Sequence, residues 1–213
     1  RYYKDVQGFP KVAPPEMKTY EMNDRIADMF EAAMNTLVKD LTYARYQAIA
    51  YLLPEKSEGL YDNAELISRS LASIRKNGLV KRLESSFYAF QISLNNFCQA
   101  NQNMIDMFNR DKVFIAPDLD INNLLEAGLS DEEIEEKLNA KADDNPKNSI
   151  FKAEDFKPEY IEMLQKDQAI LEKLCSDWKN ISDDDDSKFA KFNELLKHEL
   201  FKTDRNPEQK LVV

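Results

Sequence analysis

Glycine is scarce in this chain, with 4 residues among 213. Sheet proteins and phosphate-cradling loops need glycine for tight turns and close backbone approach, so the shortage turns the expectation toward helices. None of the four opens a phosphate loop of the form G-x-x-x-x-G-K-[ST]: Gly8, Gly59, Gly78 and Gly128 are followed by Phe9, Leu60, Leu79 and Leu129. Histidine is scarcer still, at a single residue, His198. A metal enzyme built on a helical bundle needs Glu-x-x-His pairs or several histidines, and the position three before His198 is Leu195. Zinc and haem fail on the same shortage of ligands. The two cysteines, Cys98 and Cys175, are too few for a secreted disulfide framework, and both fall inside amphipathic patterns where cysteine acts as a small apolar residue. No apolar run nears the roughly 20 residues that span a bilayer, and no signal peptide opens the chain. Bases are also in deficit: 29 Lys and Arg against 39 Asp and Glu give a net charge of −10, which repels phosphate on average. A cytoplasmic chain without its own catalytic site is the expectation.

What is present is helix-forming. The expected fold is all-α: an elongated bundle or hairpin of long antiparallel helices, a small helical insertion and one truncated terminal strand. Residues 1–19 hold three prolines and read as extended chain. In 20–110, the bundle core, Asn23 or Asp24 caps a first helix whose apolar stripe runs Ile26, Phe30, Ala33, Leu37, Leu41, Ala44, Ala48, Tyr51 and ends at Pro54 and Gly59. A shorter helix follows from Asn63 to Lys76, with Gly78 as a joint. Then Leu83, Phe90, Phe97 and Met104 are spaced by seven, as are Phe87, Leu94, Asn101 and Phe108. This a/d seam, polar only at Asn101, predicts one helix from Leu79 to Asn109, roughly 45 Å long.

Residues 111–157 are poorer in apolar side chains and read as a surface insertion. It carries two short helices, Asp120–Ala127 and Asp131–Lys141, the second with a Ser130/Glu133 capping box. A returning bundle helix occupies 158–182, where Ile161, Leu164, Gln168, Leu171, Cys175 and Trp178 share a face. In 183–213, Asp183 to Asp186 read as a solvated acidic turn before a helix with a buried Phe189, Phe192, Leu196, Leu200 stripe. Lys210 to Val213 read as the start of a strand.

The basic residues Arg75, Lys76, Lys81 and Arg82, with Glu84 and Ser85, form the one local constellation with functional potential. Arginine can grip a phosphate or carboxylate bidentately, but from spacing alone intrahelical pairing and solvation are the favoured account. The stretch from Gly78 to Phe90 (GLVKRLESSFYAF), followed by Ser93-Leu94, resembles an "LLKRLESS…AF…SL" segment. That segment occurs between the two RecA-like lobes of large bacterial superfamily-two helicases with Swi/Snf-like architecture. Arg1-Tyr2-Tyr3-Lys4-Asp5-Val6 and Phe9-Pro10 look like the "RR-x-K-D-V…LP" exit from the first lobe, with Tyr2 where the second arginine is usual. Asp186-Ser187-Lys188, Leu195-Leu196 and Lys210 to Val213 resemble the "D-x-K…L" helix and "K-x-[LV]-[VI]-F" strand that lead into the second.

The resemblance implies a non-catalytic inter-lobe helical domain of an ATP-dependent DNA or RNA helicase or translocase. The parent would use ATP and magnesium through parts outside this chain, and the flanking lobes would be the partners. Two other readings stay open. One is a free-standing helical module that binds a protein through an exposed seam. The other is an isolated nucleic-acid-binding domain, which needs Arg69, Arg75, Lys76, Lys81 and Arg82 on one face.

Overall fold

The computed structural model describes residues 14–60, 63–116, 120–126, 129–130, 133–134, 136–137, 140, 147–202, 204 and 206. The expected lobe exit at 1–13 and the expected strand Lys210–Val213 lie outside them. Among the described residues the fold is helical, with one two-stranded ribbon.

Helix α1 (Asp24–Asn35) starts where Asn23 Oδ1 accepts the Ile26 N–H at 3.0 Å, and a π-turn, Thr36–Asp40, extends it. The 28-residue stripe predicted for a single helix breaks there. Tyr43 takes a left-handed backbone (φ 59°), and a 3-10 helix, Ala44–Ala50, leaves in a new direction. The buried Asp167 carboxylate holds this break by accepting the Thr42 N–H (2.8 Å), the Thr42 hydroxyl (3.0 Å) and the Ala44 N–H (2.9 Å). The Tyr43 hydroxyl donates to the Leu37 carbonyl at 3.0 Å, which offsets the strain of its left-handed backbone. Pro54 does not terminate a helix; it opens a single turn, α2 (Pro54–Ser57), as proline at a first helical position can.

The long helix predicted over Leu79–Asn109 is two helices. Helix α3 (Ala64–Ser85) runs straight through Gly78, the expected joint, and α4 (Phe87–Asn109) begins after Ser86. Ser86 is extended (φ −159°, ψ 130°), and its hydroxyl caps α4 through the Ala89 N–H at 3.3 Å. The seam residues of both helices nevertheless reach the core. Leu83, Phe87, Phe90, Leu94, Asn101, Met104 and Phe108 are all buried. Asn101 stays inside at no polar cost: its amide donates to the Leu164 carbonyl (2.9 Å) and Gln168 Oε1 (3.0 Å).

Those partners belong to the helix from Glu159 to Trp178, whose Leu164, Gln168, Leu171 and Trp178 are buried as the shared-face pattern requires. Contacts pair Phe87 and Phe90 with Trp178 at one end and Phe108 with Tyr160 at the other, so the two helices are antiparallel.

Between them the chain is not a surface insertion. β1 (Val113–Ile115) pairs antiparallel with β2 (Ser149–Phe151), Val113 opposite Phe151. α5 (Ile121–Glu126) follows β1, and the 159–178 helix is therefore α6. Val113, Phe114, Ile121, Ile134, Phe151 and Phe156 are buried in one cluster with Met104, Phe108, Tyr160 and Leu164. Among the described residues these apolar side chains follow no period, so average apolarity gives no sign of their burial. Ser130 and Glu133 form the expected capping box, by Glu133 Oε2 on the Ser130 N–H (2.8 Å) and Ser130 Oγ on the Glu133 N–H (3.3 Å). A second cluster, around Ile26, Leu37, Leu79, Leu83, Phe90 and Trp178, fills the opposite end. The last helix, α7 (Ser187–Leu195), continues as a π-turn over Leu196–Leu200. Its predicted buried stripe is not buried: Phe189 is 44% and Leu200 37% exposed.

Candidate functional site: the Ser86 junction

The break between α3 and α4 falls inside Lys81-Arg82-Leu83-Glu84-Ser85-Ser86, the stretch on which the helicase expectation rests. A helix start leaves N–H groups without intrahelical partners, and at a buried start these need acceptors. Here the acceptor comes from 99 positions away: Asp186 Oδ2 takes the Phe87 N–H at 3.0 Å. The same carboxylate caps α7, with Oδ1 on the Phe189 N–H at 3.0 Å. Asp186 is 5% exposed, so it is not part of a solvated acidic turn; it is a buried anion shared by two helix N-termini. Two residues on, Lys188 Nζ donates to the Glu84 carbonyl in the last turn of α3 at 3.1 Å, cation to helix C-terminus. The D-x-K pair and the KRLESS stretch, far apart in sequence, are thus tied at two points.

The incoming segment meets the same place. Tyr20, Met22 and Phe30 surround a small cavity with Leu83, Glu84, Ser85, Ser86, Phe87, Asp186, Ser187 and Lys188. Lys18 bridges Glu16 (3.2 Å) and Glu199 (2.9 Å), and those two carboxylates raise its pKa by hydrogen bonding. Arg25 pairs with Asp185. The Asp185 carboxyl is held below the usual range, first by the Ser182 N–H it accepts and further by the Ser182 hydroxyl and Arg25, against a smaller opposing effect of desolvation. Behind the junction, Gln91 on α4 donates to the Trp178 (2.7 Å) and Ile181 (2.8 Å) carbonyls. The stretch from 181 to 189 is therefore anchored to α4 by side chains on both partners.

The candidate residues distribute around α3. Lys81, Arg82, Glu84 and Ser85 are exposed beside the junction. Lys76 Nζ donates to the Val38 carbonyl at 2.9 Å, Arg75 stacks its guanidinium 5.1 Å from the Tyr46 ring centre, and Arg69 pairs with Glu65 at 3.4 Å. These three cations reach three different partners. His198 is exposed, and among the described residues no group of three or more His, Cys, Asp or Glu is gathered to hold a metal. Among the described residues no helix is long and apolar enough to cross a membrane.

Sequence reasoning missed Asp186 by treating four successive aspartates as equivalent. The signal was positional: Asp186 alone stands directly before the Ser187-Lys188-Phe189 helix start, where its oxygen can reach the third residue on. The geometry suits mechanical transmission, since a displacement of the 182–189 stretch pulls on the start of α4 and the end of α3 together. No family model matches the chain, and neither a curated protein nor a solved structure does.

Proposed function

We propose that this chain is a non-catalytic helical domain standing between the two RecA-like lobes of an ATP-dependent nucleic-acid helicase or translocase, where it couples lobe movement to work on the nucleic acid. The observation that carries the reading is the Asp186 carboxylate, which joins the outgoing segment to the helix break inside the motif. An inserted domain that senses relative movement of its two neighbours needs its incoming and outgoing strands close together and linked to a rigid lever. Lys18–Glu199 and Arg25–Asp185 bring the two strands together, and α4 packed along α6 is the lever. The ATP-binding loop, the acid box, the arginine finger and magnesium belong to the parent outside this chain.

The free-standing scaffold reading relied on an exposed seam, whereas Phe90, Leu94, Asn101, Met104 and Phe108 of the seam are buried and Phe97 is half-buried. Lys81 and Arg82 are exposed at the junction and available to a neighbouring lobe or a phosphate. The double variant Lys81→Glu, Arg82→Glu in the intact enzyme is expected to keep nucleic-acid-stimulated ATP hydrolysis and lose unwinding or translocation. Unchanged coupling between the two activities would contradict the proposal.

A further inference from the structure

A second cavity lies away from the junction. It is an open groove of about 810 Å³ between the 44–50 helix, α3, α4 and the β1–α5 segment. That volume is in the range of sites that take peptides and small ligands. Its chemistry is mixed. Two guanidiniums, Arg45 and Arg75, stand 5.0 and 5.1 Å from the ring centre of Tyr46 between them. Arg45 Nε is buried and has no hydrogen-bond partner among the described residues. The apolar lining is Phe97, whose ring centre lies 5.6 Å from that of Tyr46, with Met104, Met107, Phe114 and Leu71, which is 40% exposed, and Ser93, Asn96, Asn122 and Asn123 add polar groups.

We propose that this groove binds a short extended peptide from a partner protein, carrying one carboxylate for Arg45 and Arg75 and an apolar side chain for the Phe97–Met107 floor. Charge decides against a nucleic-acid strand. The groove holds two cations and the Asp120 carboxylate, on a chain of net charge −10, which is too weak a field for a ligand with a phosphate at every nucleotide. A single carboxylate asks only for one arginine fork, and Arg75 and Arg45 offer two. Methionine side chains adapt their shape, as a floor that receives a foreign apolar residue must. Ile115 and Ala116 bring the β1 end of the ribbon to the groove wall. The inference stands whether or not the chain sits in a helicase.

The test is selection of a phage-displayed library of short random peptides on the full chain, followed by fluorescence anisotropy with a synthetic labelled copy of the enriched sequence. Enriched peptides are expected to pair an Asp, Glu or free C-terminal carboxylate with a nearby large apolar residue. Arg75 is exposed, so Arg75→Glu leaves the fold intact by circular dichroism and should weaken the peptide by at least about tenfold, with Arg75→Lys retaining part of the affinity. Leu71→Asp, at a 40% exposed position of the lining, should weaken binding independently. Three results overturn the proposal: no enriched sequence, an enriched peptide indifferent to Arg75→Glu, or a labelled oligothymidylate that binds with the arginine dependence the peptide lacks.

Discussion

Replacing Asp186 with alanine removes one carboxylate and orphans two helix starts. Loss of an N-cap acceptor costs about 1 kcal/mol, within roughly 0.5–2, and this applies at Phe189. At Phe87 the loss is larger, because the N–H it leaves behind is buried and an unsatisfied buried donor costs about 1–3 kcal/mol. Neighbouring groups soften neither loss, since Ser86 Oγ is already committed to Ala89. The sum is a destabilisation of about 2–4 kcal/mol, a large share of the stability of an ordinary domain. Asp186→Asn keeps one acceptor oxygen but turns an amide N–H₂ toward the other backbone N–H, so about half that cost is expected. The assay is urea unfolding followed by circular dichroism at neutral pH, with the midpoint falling and the slope unchanged. Lys188→Met, which removes only an exposed cation from the Glu84 carbonyl, is the control and should shift stability by under about 0.5 kcal/mol. An Asp186→Ala protein within about 0.5 kcal/mol of wild type would refute the shared-cap account.

Four other outcomes follow from the same coordinates. Asp167→Asn disturbs three hydrogen bonds at the Tyr43 break and should cost about 2–4 kcal/mol by the same denaturation assay, with Thr42→Val recovering little of it. Trp178, the only tryptophan, is 2% exposed against Phe87 and Phe90; its emission should be blue-shifted and lost to red on unfolding, and Trp178→Ala should cost about 3–5 kcal/mol. Burial, then the neighbouring Cys98, push the Cys175 thiol up to about 12, so thiol reagents at mild alkaline pH should label it slowly in the folded chain and rapidly in urea. Desolvation raises the Asp155 carboxyl, but the Lys56 ammonium at 2.9 Å and the Lys152 N–H outweigh it and leave the pKa lowered. A lowered carboxylate pKa adds stability that is complete above its unfolded value and lost as pH falls through the folded one. Lys56→Met should therefore flatten the acid limb of the stability curve below about pH 4, and an unaltered limb would remove that pair from the account.

The sequence made the helical class legible because glycine and histidine shortages and a seven-residue seam are strong, local signals. Asn23 as a cap, the Ser130/Glu133 box and the α6 face were readable for the same reason: each depends on residues within a turn or two. The breaks were not. Ser86 interrupts a heptad pattern without disturbing it, and nothing local distinguishes a seam carried by one helix from one carried by two. What holds that break is Asp186, and what holds the Tyr43 break is Asp167, both long-range carboxylates whose partners no spacing rule reveals. The β1–β2 ribbon escaped notice because three-residue strands with one or two buried members carry no period. Of the candidate site, the motif residues were legible and their tie to Asp186 and Lys188 was not. The Arg45–Tyr46–Arg75 groove joins residues 30 apart that only the fold brings side by side.

The central claim is that this domain stands between two motor lobes, and the most direct measurement is the reading frame of the gene on both sides of the segment. The account predicts a phosphate-cradling loop ending in Gly-Lys-Thr or Gly-Lys-Ser upstream, followed by an acid box, and an aromatic codon directly after Val213 leading into a second lobe. A stop codon soon after Val213, or an upstream frame without those motifs, would contradict it and leave a helical module with a peptide groove.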